Sequence, residues 1–297
     1  MIRVVQTDLF AVIGHPVAHS LSPVMMNAAF ASLGLPAHYL ALDVDDLAAA
    51  LPMLAELGIQ GLSVTLPHKE LACELARKVD QTAREIGAIN TLKRVDDPLG
   101  WEGINTDWIG AMRALQQVTS LADKRALVIG AGGSARAVTY GLKRERAEVV
   151  ITNRTAARGE ALAEAFQCAF VPLAEVHRQP FDILVQCTSV GLSGSGNSDG
   201  IPLSVFCSGM VVMDLVYRPL WTPFLQAARD AGCVAVSGLD MLLYQGVAQF
   251  EWWWQRSAPV AQMQDALLRA LNREGQGGLV EQCHQETAWP TGGPLSA

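Results

Sequence analysis

The chain has 297 residues, half of them hydrophobic, and 22 Lys and Arg against 29 Asp and Glu leave a formal charge of −7. Such a length buries ample core and points to about two domains, and the acidic balance excludes nonspecific nucleic-acid binding, which needs a basic surface. No apolar run is long enough to cross a membrane, and Met1–Asp8 lacks a charged-then-apolar export signal, so the expectation is a cytoplasmic protein with a small ligand and no membrane or nucleic-acid partner.

Short β-like runs at Leu9–Ile13, Ala37–Ala41, Gly61–Thr65 and Ala88–Arg94 alternate with helical stretches around Pro23–Leu33, Val44–Leu57 and Lys69–Arg77. This alternation predicts an α/β domain with a mostly parallel sheet. Asp96–Gly100 reads as a hairpin turn and Asp107–Gln117 as a helix bridging into a second domain. Polar groups gather where these strands end, the edge at which open α/β sheets bind ligands. Ser20 and Ser22, two apart in an extended segment, can turn both hydroxyls to one side, which suits a small carboxylate or polyol. Capping of the helix near Pro23 is the competing use of one of them.

Lys69 stands at a helix start, where a cation opposes the dipole, directly after an apolar strand and a Pro-His turn. A lysine beside a carboxylate can give and regain a proton at a developing alkoxide, and Asp107 is the expected partner. An ordinary exposed salt bridge is the alternative. His15 and His19 are four apart, but Pro16 argues against a helical metal pair, so they are expected to shape a loop; His68 is expected to pack in its turn with no role.

Further along, Ala126–Ile129 breaks into glycines before a predicted helix at Ser134–Arg144, the pattern of a strand-to-helix dinucleotide loop. Gly130 serves the tight turn, Gly132 lets N–H groups approach a pyrophosphate, and Ala135 permits close helix–strand packing. The helix N-terminus faces the phosphates. The next strand, Glu148–Asn153, ends in Asn153-Arg154-Thr155, with Arg158 one turn on, where an NAD-binding unit would carry an acidic residue. Guanidinium groups there favour the 2′-phosphate of NADP over NAD; a solvated arginine after a glycine-rich turn is the bland alternative.

The rest of a doubly wound sheet is expected at Ile183–Gln186, Val211–Asp214 and Val234–Val236, with a mobile loop at Gly191–Gly200. Helices fit Met241–Trp254 and Val260–Asn272, and Trp252-Trp253-Trp254 reads as packing between helix and domain. The tail from Arg273 is rich in glycine and proline and is expected to be poorly ordered. Cys73, Cys168, Cys187, Cys207, Cys233 and Cys283 show no C-x-x-C spacing, so neither a metal site nor a disulfide framework is expected.

Taken in chain order, these segments resemble the shikimate dehydrogenase family over nearly all of residues 8–272. Ser20-Leu21-Ser22 resembles the family's S-x-S carboxylate clamp, and Thr65-Leu66-Pro67-His68-Lys69 its N/T-x-P-x-K strand end with the catalytic lysine. Asn90 and Asn105-Thr106-Asp107 resemble its substrate-hydroxyl binders, with Asp107 in the catalytic pair. Gly130-Ala131-Gly132-Gly133-Ser134-Ala135-Arg136 resembles its cofactor loop, and Asn153-Arg154-Thr155 its NADP-selecting turn. Further matches lie at Cys187–Gly191, Asp214–Pro219 and Gly238–Gln245. From these the resemblance implies Tyr217 and Gln245 as substrate contacts alongside Thr65, and Thr188 and Gly238 as contacts near the nicotinamide. Cys187 departs from the family's commoner alanine, and the tail after Asn272 matches no family motif.

The implied fold is an N-terminal α/β substrate domain, residues 1–106 completed by 239–272, followed by a doubly wound Rossmann NADP-binding domain at 107–238, with a C-terminal helix returning to the first domain. The implied reaction is reversible hydride transfer between NADPH and the ketone of 3-dehydroshikimate, giving shikimate for aromatic amino acid biosynthesis. Lys69 and Asp107 would handle the proton, Ser20 and Ser22 the carboxylate, and Asn90, Asp107 and Gln245 the ring hydroxyls. A quinate or quinate/shikimate dehydrogenase would use the same residues on a ring with an added hydroxyl; the two small serines and the Asn-Arg-Thr turn favour shikimate and NADP. From another class, a ligand-sensing regulatory protein could keep this fold without catalysis, but the presence of both Lys69 and Asp107 argues against it. The expected assembly is a monomer or a homodimer.

Overall fold

The computed structural model describes residues 7–95, 100–189 and 201–273. Most of the expected turn at Asp96–Gly100, the expected loop at Gly191–Gly200, the tail beyond Arg273 and Cys283 lie outside the described residues. The described chain forms two compact units. The first comprises its residues up to Gly110, Gly132–Tyr140 and Leu243–Leu267; the second comprises Ala111–Ala131, Gly141–Leu242 and the residues from Leu268 on.

The first unit opens with β1 (Asp8–Gly14), α1 (Ser22–Ser32), β2 (Ala37–Asp43), α2 (Leu47–Glu56), β3 (Ile59–Val64) and α3 (Lys69–Leu75). There follow β4 (Lys78–Val79), α4 (Gln81–Ile86), β5 (Thr91–Arg94) and β6 (Trp101–Ile104), and the six strands lie in the order β2-β1-β3-β5-β6-β4. β1 is parallel to β2 and β3, and β4 to β6, as a sheet of crossover connections requires. β5 alone runs antiparallel to both its neighbours, because the chain turns directly from β5 into β6 and a hairpin joins only antiparallel strands.

That reversal brings the start of β5 to the edge where β3 ends: Thr91 pairs with Ser63 on one side and with Ile104 on the other. The strand begins at Thr91 rather than at Ala88. Ile89 N–H is drawn to Lys69 O at 2.8 Å and the Asn105 side chain takes Ala88 O at 2.9 Å, which bends the segment before it can join the ladder.

One face of this sheet buries Ala11, Ile13, Leu47, Leu51, Leu62, Val64 and Trp101. The other is closed by aromatic rings from α1 and from α9 (Gly238–Trp254), most of which belongs to the first unit. Phe10 stands 5.4 Å from Phe30 and 5.1 Å from Trp253, and Phe30 stands 5.9 Å from Trp254. Trp253 Nε1 also donates to Leu92 O at 3.0 Å, so the Trp252–Trp254 run is packing, as expected. α9 starts three residues earlier than its apolar periodicity predicts, since Ser237 Oγ accepts the Leu239 N–H at 3.1 Å and caps the first turn.

The second unit holds β7 (Arg125–Ile129), β8 (Glu148–Thr152), α7 (Ala156–Ala165), β9 (Ala169–Phe170), β10 (Ile183–Gln186), β11 (Val211–Asp214), α8 (Pro223–Asp230) and β12 (Val234–Ser237). All its strand pairs are parallel. β7 is central, β8 and β9 continue to one side, and β10, β11 and β12 continue to the other, the strand order of doubly wound dinucleotide-binding sheets. Four helices cross the division along the chain: α5 (Asp107–Gln116), α6 (Gly133–Arg144), α9 and α10 (Val260–Leu271), the last of the described elements. α8 went unread in the sequence although its start signal is there: Thr222 Oγ1 accepts the Leu225 N–H at 3.2 Å, with Pro223 in the first turn.

The Trp253 ring both packs against Phe10 of the sheet and hydrogen-bonds to β5. Trp253→Ala should cost about 3–5 kcal/mol, the usual loss for a large buried aromatic, as a lower urea midpoint at unchanged slope.

Candidate active site

The site starts from the end of β3. Thr65 N–H is held by Ile13 O at 2.9 Å and His68 N–H by Thr65 O at 3.0 Å, a tight turn that delivers Lys69 as the first residue of α3. His68 is buried, and its Nε2–H donates to Val44 O at 2.6 Å, so it packs the turn. Lys69 Nζ donates to Asp107 Oδ2 at 2.6 Å and to Ser134 Oγ at 2.9 Å. The Lys69 side chain is 14% exposed and the Asp107 side chain 5%, so this pair is not the exposed salt bridge considered as an alternative. A cation at a helix start opposes the dipole and loses hydration, and a charge-assisted bond of this length offsets both.

Asp107 is itself built in. Its N–H donates to Asn105 Oδ1 at 3.0 Å, and Asn105 Nδ2 is committed to Ala88 O, so Asn105 shapes the turn rather than presenting its amide. Asn90 Nδ2 donates to Asp107 Oδ1 at 2.8 Å and to Gln245 Oε1 at 3.3 Å. The amide cannot be turned around, because the Thr106 backbone N–H, which can only donate, meets Asn90 Oδ1 at 2.7 Å. Thr91 Oγ1 adds a second donor to that oxygen at 2.9 Å.

Behind Asn90 lies a buried chain of hydrogen bonds that went unread in the sequence. Gln249 Nε2 donates to Asn90 O at 3.2 Å and to Thr91 Oγ1 at 3.0 Å, while its Oε1 accepts from Ser63 Oγ at 2.7 Å. Ser63 Oγ in turn accepts from Tyr39 Oη at 2.5 Å. Gln249 sits one helical turn after Gln245 on α9, and that i,i+4 spacing was the available signal.

The remaining substrate candidates divide by unit. Ser20 and Ser22 lie in the first, where Ser20 Oγ accepts the Ser22 N–H at 3.2 Å. The helix N-cap is Leu21 with no side-chain cap bond, so Ser22 does not cap α1. The loop before them is tied to the end of β2: His15 Nδ1 meets Asp43 Oδ1 at 2.5 Å and the Val17 N–H donates to Asp43 Oδ2 at 3.4 Å. These contacts raise the pKa of His15, chiefly through its hydrogen bond to Asp43. Tyr217 belongs to the second unit, on a loop closed by Asp214, which accepts from the Val216 N–H at 3.0 Å and from Thr222 Oγ1 at 2.6 Å.

The cofactor candidates follow the end of β7. Gly130 has a φ of +121°, open only to glycine, and a Cβ there would stand 3.3 Å from Thr188 Cγ2. At Gly132 a Cβ would meet nothing within 4 Å, so protein packing does not require glycine there, and the space suits a ligand approaching the main chain. Ala135 is fully buried in the first turn of α6. Thr188 N–H and Oγ1 both donate to Gln186 Oε1, at 3.1 and 2.9 Å, and Gly238 is buried against Leu215 O. Asn153 Nδ2 donates to Thr155 O at 2.9 Å, which orders the turn after β8. Arg154, Thr155 and Arg158 are exposed beside the start of α7, and Thr155 makes no side-chain cap bond. This donor set, cations beside a helix start and a glycine loop at the switch point between β7 and β10, fits a phosphorylated dinucleotide. Among the described residues no group of three or more His, Cys, Asp or Glu is placed to hold a metal ion, and no helix is long and apolar enough to cross a membrane.

An all-parallel dinucleotide sheet and a lysine–aspartate pair at the ligand edge of a second α/β unit define a dinucleotide-dependent oxidoreductase. Residues 12–92 match the shikimate dehydrogenase substrate binding domain, 112–192 the shikimate / quinate 5-dehydrogenase family and 238–268 the shikimate 5′-dehydrogenase C-terminal domain. The chain belongs to the shikimate dehydrogenase family. It is 56% identical over 282 residues to the shikimate dehydrogenase (NADP(+)) of Syntrophobacter fumaroxidans, covering 92% of this chain and 98% of the relative. To that of Moorella thermoacetica it is 44% identical, covering 92% and 96%. The crystal structure of shikimate 5-dehydrogenase from Thermus thermophilus in complex with NADP(H) and shikimate is similar with a TM-score of 0.81 at 40% identity, covering 89% of this chain and all of that one.

Two further carboxyls in the second unit are buried. Burial pushes Asp214 up to about 7 against its hydrogen bonds from Thr222 and Val216, and pushes Asp240, in the first turn of α9, up to about 7. From the ordinary value of 3.8 up to about 7 the folded chain therefore holds protons that the unfolded chain has lost, and stability falls as pH rises through that window. Asp240→Asn should leave Tm nearly unchanged at acidic pH near the carboxylate range and raise it at pH about 8, by about 2–4 °C for each kcal/mol of relieved charge burial. Thermal melts at both pH values check this, and an equal shift at each would assign the effect to packing.

Proposed function

We propose that this chain catalyses the reversible NADP-dependent interconversion of 3-dehydroshikimate and shikimate, a step toward aromatic amino acids. The observation that carries the reading is the 2.6 Å bond between Lys69 Nζ and Asp107 Oδ2, held beside Asn90 and Gln245. When bound, NADPH supplies the hydride to the ketone carbon. Lys69 gives a proton to the ketone oxygen as negative charge develops there, and Asp107 holds the ammonium in place and steadies its charge. In the oxidation direction Lys69 takes the proton back from the hydroxyl.

Ser20 and Ser22 bind the ring carboxylate, and Asn90, Asp107 and Gln245 bind the ring hydroxyls, with Thr65 and Tyr217 as further substrate contacts. The fixed amide of Asn90 supports this, since its orientation decides which hydroxyl oxygen it can serve. For NADP we assign Gly130, Ala131, Gly132, Gly133, Ser134 and Ala135 to the pyrophosphate side, Asn153, Arg154, Thr155 and Arg158 to the 2′-phosphate side, and Thr188 and Gly238 to the nicotinamide side. Residues 1–106 with 239–272 make the substrate domain and 107–238 the cofactor domain. We place the chain in the cytoplasm, as a monomer or a homodimer.

Lys69→Ala should lower kcat for shikimate oxidation by roughly 10²–10⁴-fold with a smaller change in KM, as expected for a general acid–base group. Stopped-flow and steady-state absorbance of the reduced cofactor measure both, and near-normal turnover would remove Lys69 from the chemistry. Replacing Arg154 and Arg158 by neutral residues should raise KM for NADPH while leaving NADH use nearly unchanged, because the 2′-phosphate is the only difference between the two. An equal decline with both cofactors would make the arginines structural.

A further inference from the structure

We infer that Ser134, a residue of the glycine-rich cofactor loop, is a positioning residue for Lys69, so that the loop itself aims the acid. The observation is the bond from Lys69 Nζ to Ser134 Oγ at 2.9 Å, made alongside the bond to Asp107. The four-carbon stem of a lysine is flexible, and one partner fixes the distance of the ammonium without fixing its direction. Two partners on different elements fix both. Asp107 enters from the start of α5 and Ser134 from the start of α6.

The serine is in a position to do this because its helix turn is anchored to the same unit as Lys69. A Cβ on Gly133 would stand 2.8 Å from Lys69 Cβ and 3.4 Å from Ala88 Cβ, so the backbone of α6 lies directly against the lysine only because residue 133 is glycine. Arg136 Nε donates to Ile86 O at 2.6 Å, Ala137 packs with Ile86 and Ala88, and the Tyr140 ring meets Trp108 edge-on at 5.6 Å. A shift of α6 large enough to release Ser134 would break all of these contacts.

The chemistry of a hydroxyl suits the task better than a second carboxylate. It accepts from the ammonium while Lys69 carries its proton, and it can donate to the amine once the proton has gone, so the lysine keeps a partner in both states. Asp107 only accepts, and favours the charged state alone. Loss of the serine should therefore leave the lysine less tightly directed. This inference rests on Lys69 being the proton donor of the proposed reaction.

The test uses the full-length chain with Ser134→Ala and Ser134→Thr, the second keeping the hydroxyl. Ser134→Ala should lower kcat for 3-dehydroshikimate reduction, read at saturating NADPH, by about 10-fold, the scale of one charge-assisted hydrogen bond, in addition to any rise in Kd for NADPH from its place on the pyrophosphate side. Ser134→Thr should restore the rate. Without turnover, the ¹H–¹⁵N ammonium resonance of Lys69, assigned by its loss in Lys69→Arg, should be slow to exchange in the parent and broadened in Ser134→Ala. An unchanged rate and resonance in Ser134→Ala would overturn the inference, as would a raised Kd for NADPH with unchanged kcat, which would leave the hydroxyl serving the cofactor alone. A folded parent that turns over neither shikimate nor 3-dehydroshikimate would sink the proposed function, while the ammonium resonance would still decide the Lys69–Ser134 contact.

Discussion

A lysine and an aspartate held out of water at 2.6 Å are the constraint around which the first unit is built. Two buried charges cost several kcal/mol each in lost hydration, and their attraction offsets that only when their remaining lone pairs and protons are also satisfied. Each has a further partner here. Lys69 has Ser134 as a second acceptor, and the second oxygen of Asp107 is taken by the Asn90 amide. The direction that the hairpin gives β5 serves the same pair, because a strand starting at this edge places Asn90 between β3 and the turn that carries Asp107.

Asn90 shows how a polar network gains direction as well as energy. Its oxygen is held by a main-chain donor from Thr106 and a hydroxyl from Thr91, so its nitrogen must face Asp107 and Gln245. Thr91 is held by Gln249, and Gln249 by Ser63 and Tyr39, so the orientation of one amide at the site is fixed from α9, β3 and β2 at once. Removing any member leaves another buried polar atom without its partner, which costs more than the bond itself contributed. α9 therefore closes the sheet with aromatic rings and completes the hydrogen bonding of the site.

Within the cofactor loop the glycines do different work. Gly130 answers to backbone geometry, Gly133 to the close approach of Lys69 and Ala88, and Gly132 to neither, since a Cβ there would meet only open space. The loop thus packs directly against Lys69 while leaving main chain open at Gly132. The exposed arginines after β8 complement it, supplying charge where an acidic chain has little to offer as a whole.

What the sequence by itself determined are the features encoded by short-range physics. The dinucleotide loop, the arginine turn after β8, the spans of β10 and β11 and the placement of Lys69 at a helix start all depend on neighbouring residues, through φ requirements, side-chain periodicity and main-chain donors. The helix at Ala156–Ala165 is not predicted because its many small side chains mark no clear apolar face, while that at Pro223–Asp230 marks one but spans little more than two turns, even with a Thr-Pro start. Only the tertiary structure decided that β5 runs antiparallel, that Asn90 presents its nitrogen to Asp107, that Gln249 supports Asn90 from far along the chain, and that Ser134 meets Lys69. Those contacts join residues far apart in sequence, and they exist because sheet register and helix docking bring main-chain donors and acceptors to one edge. No local pattern records which side chain will find which partner there.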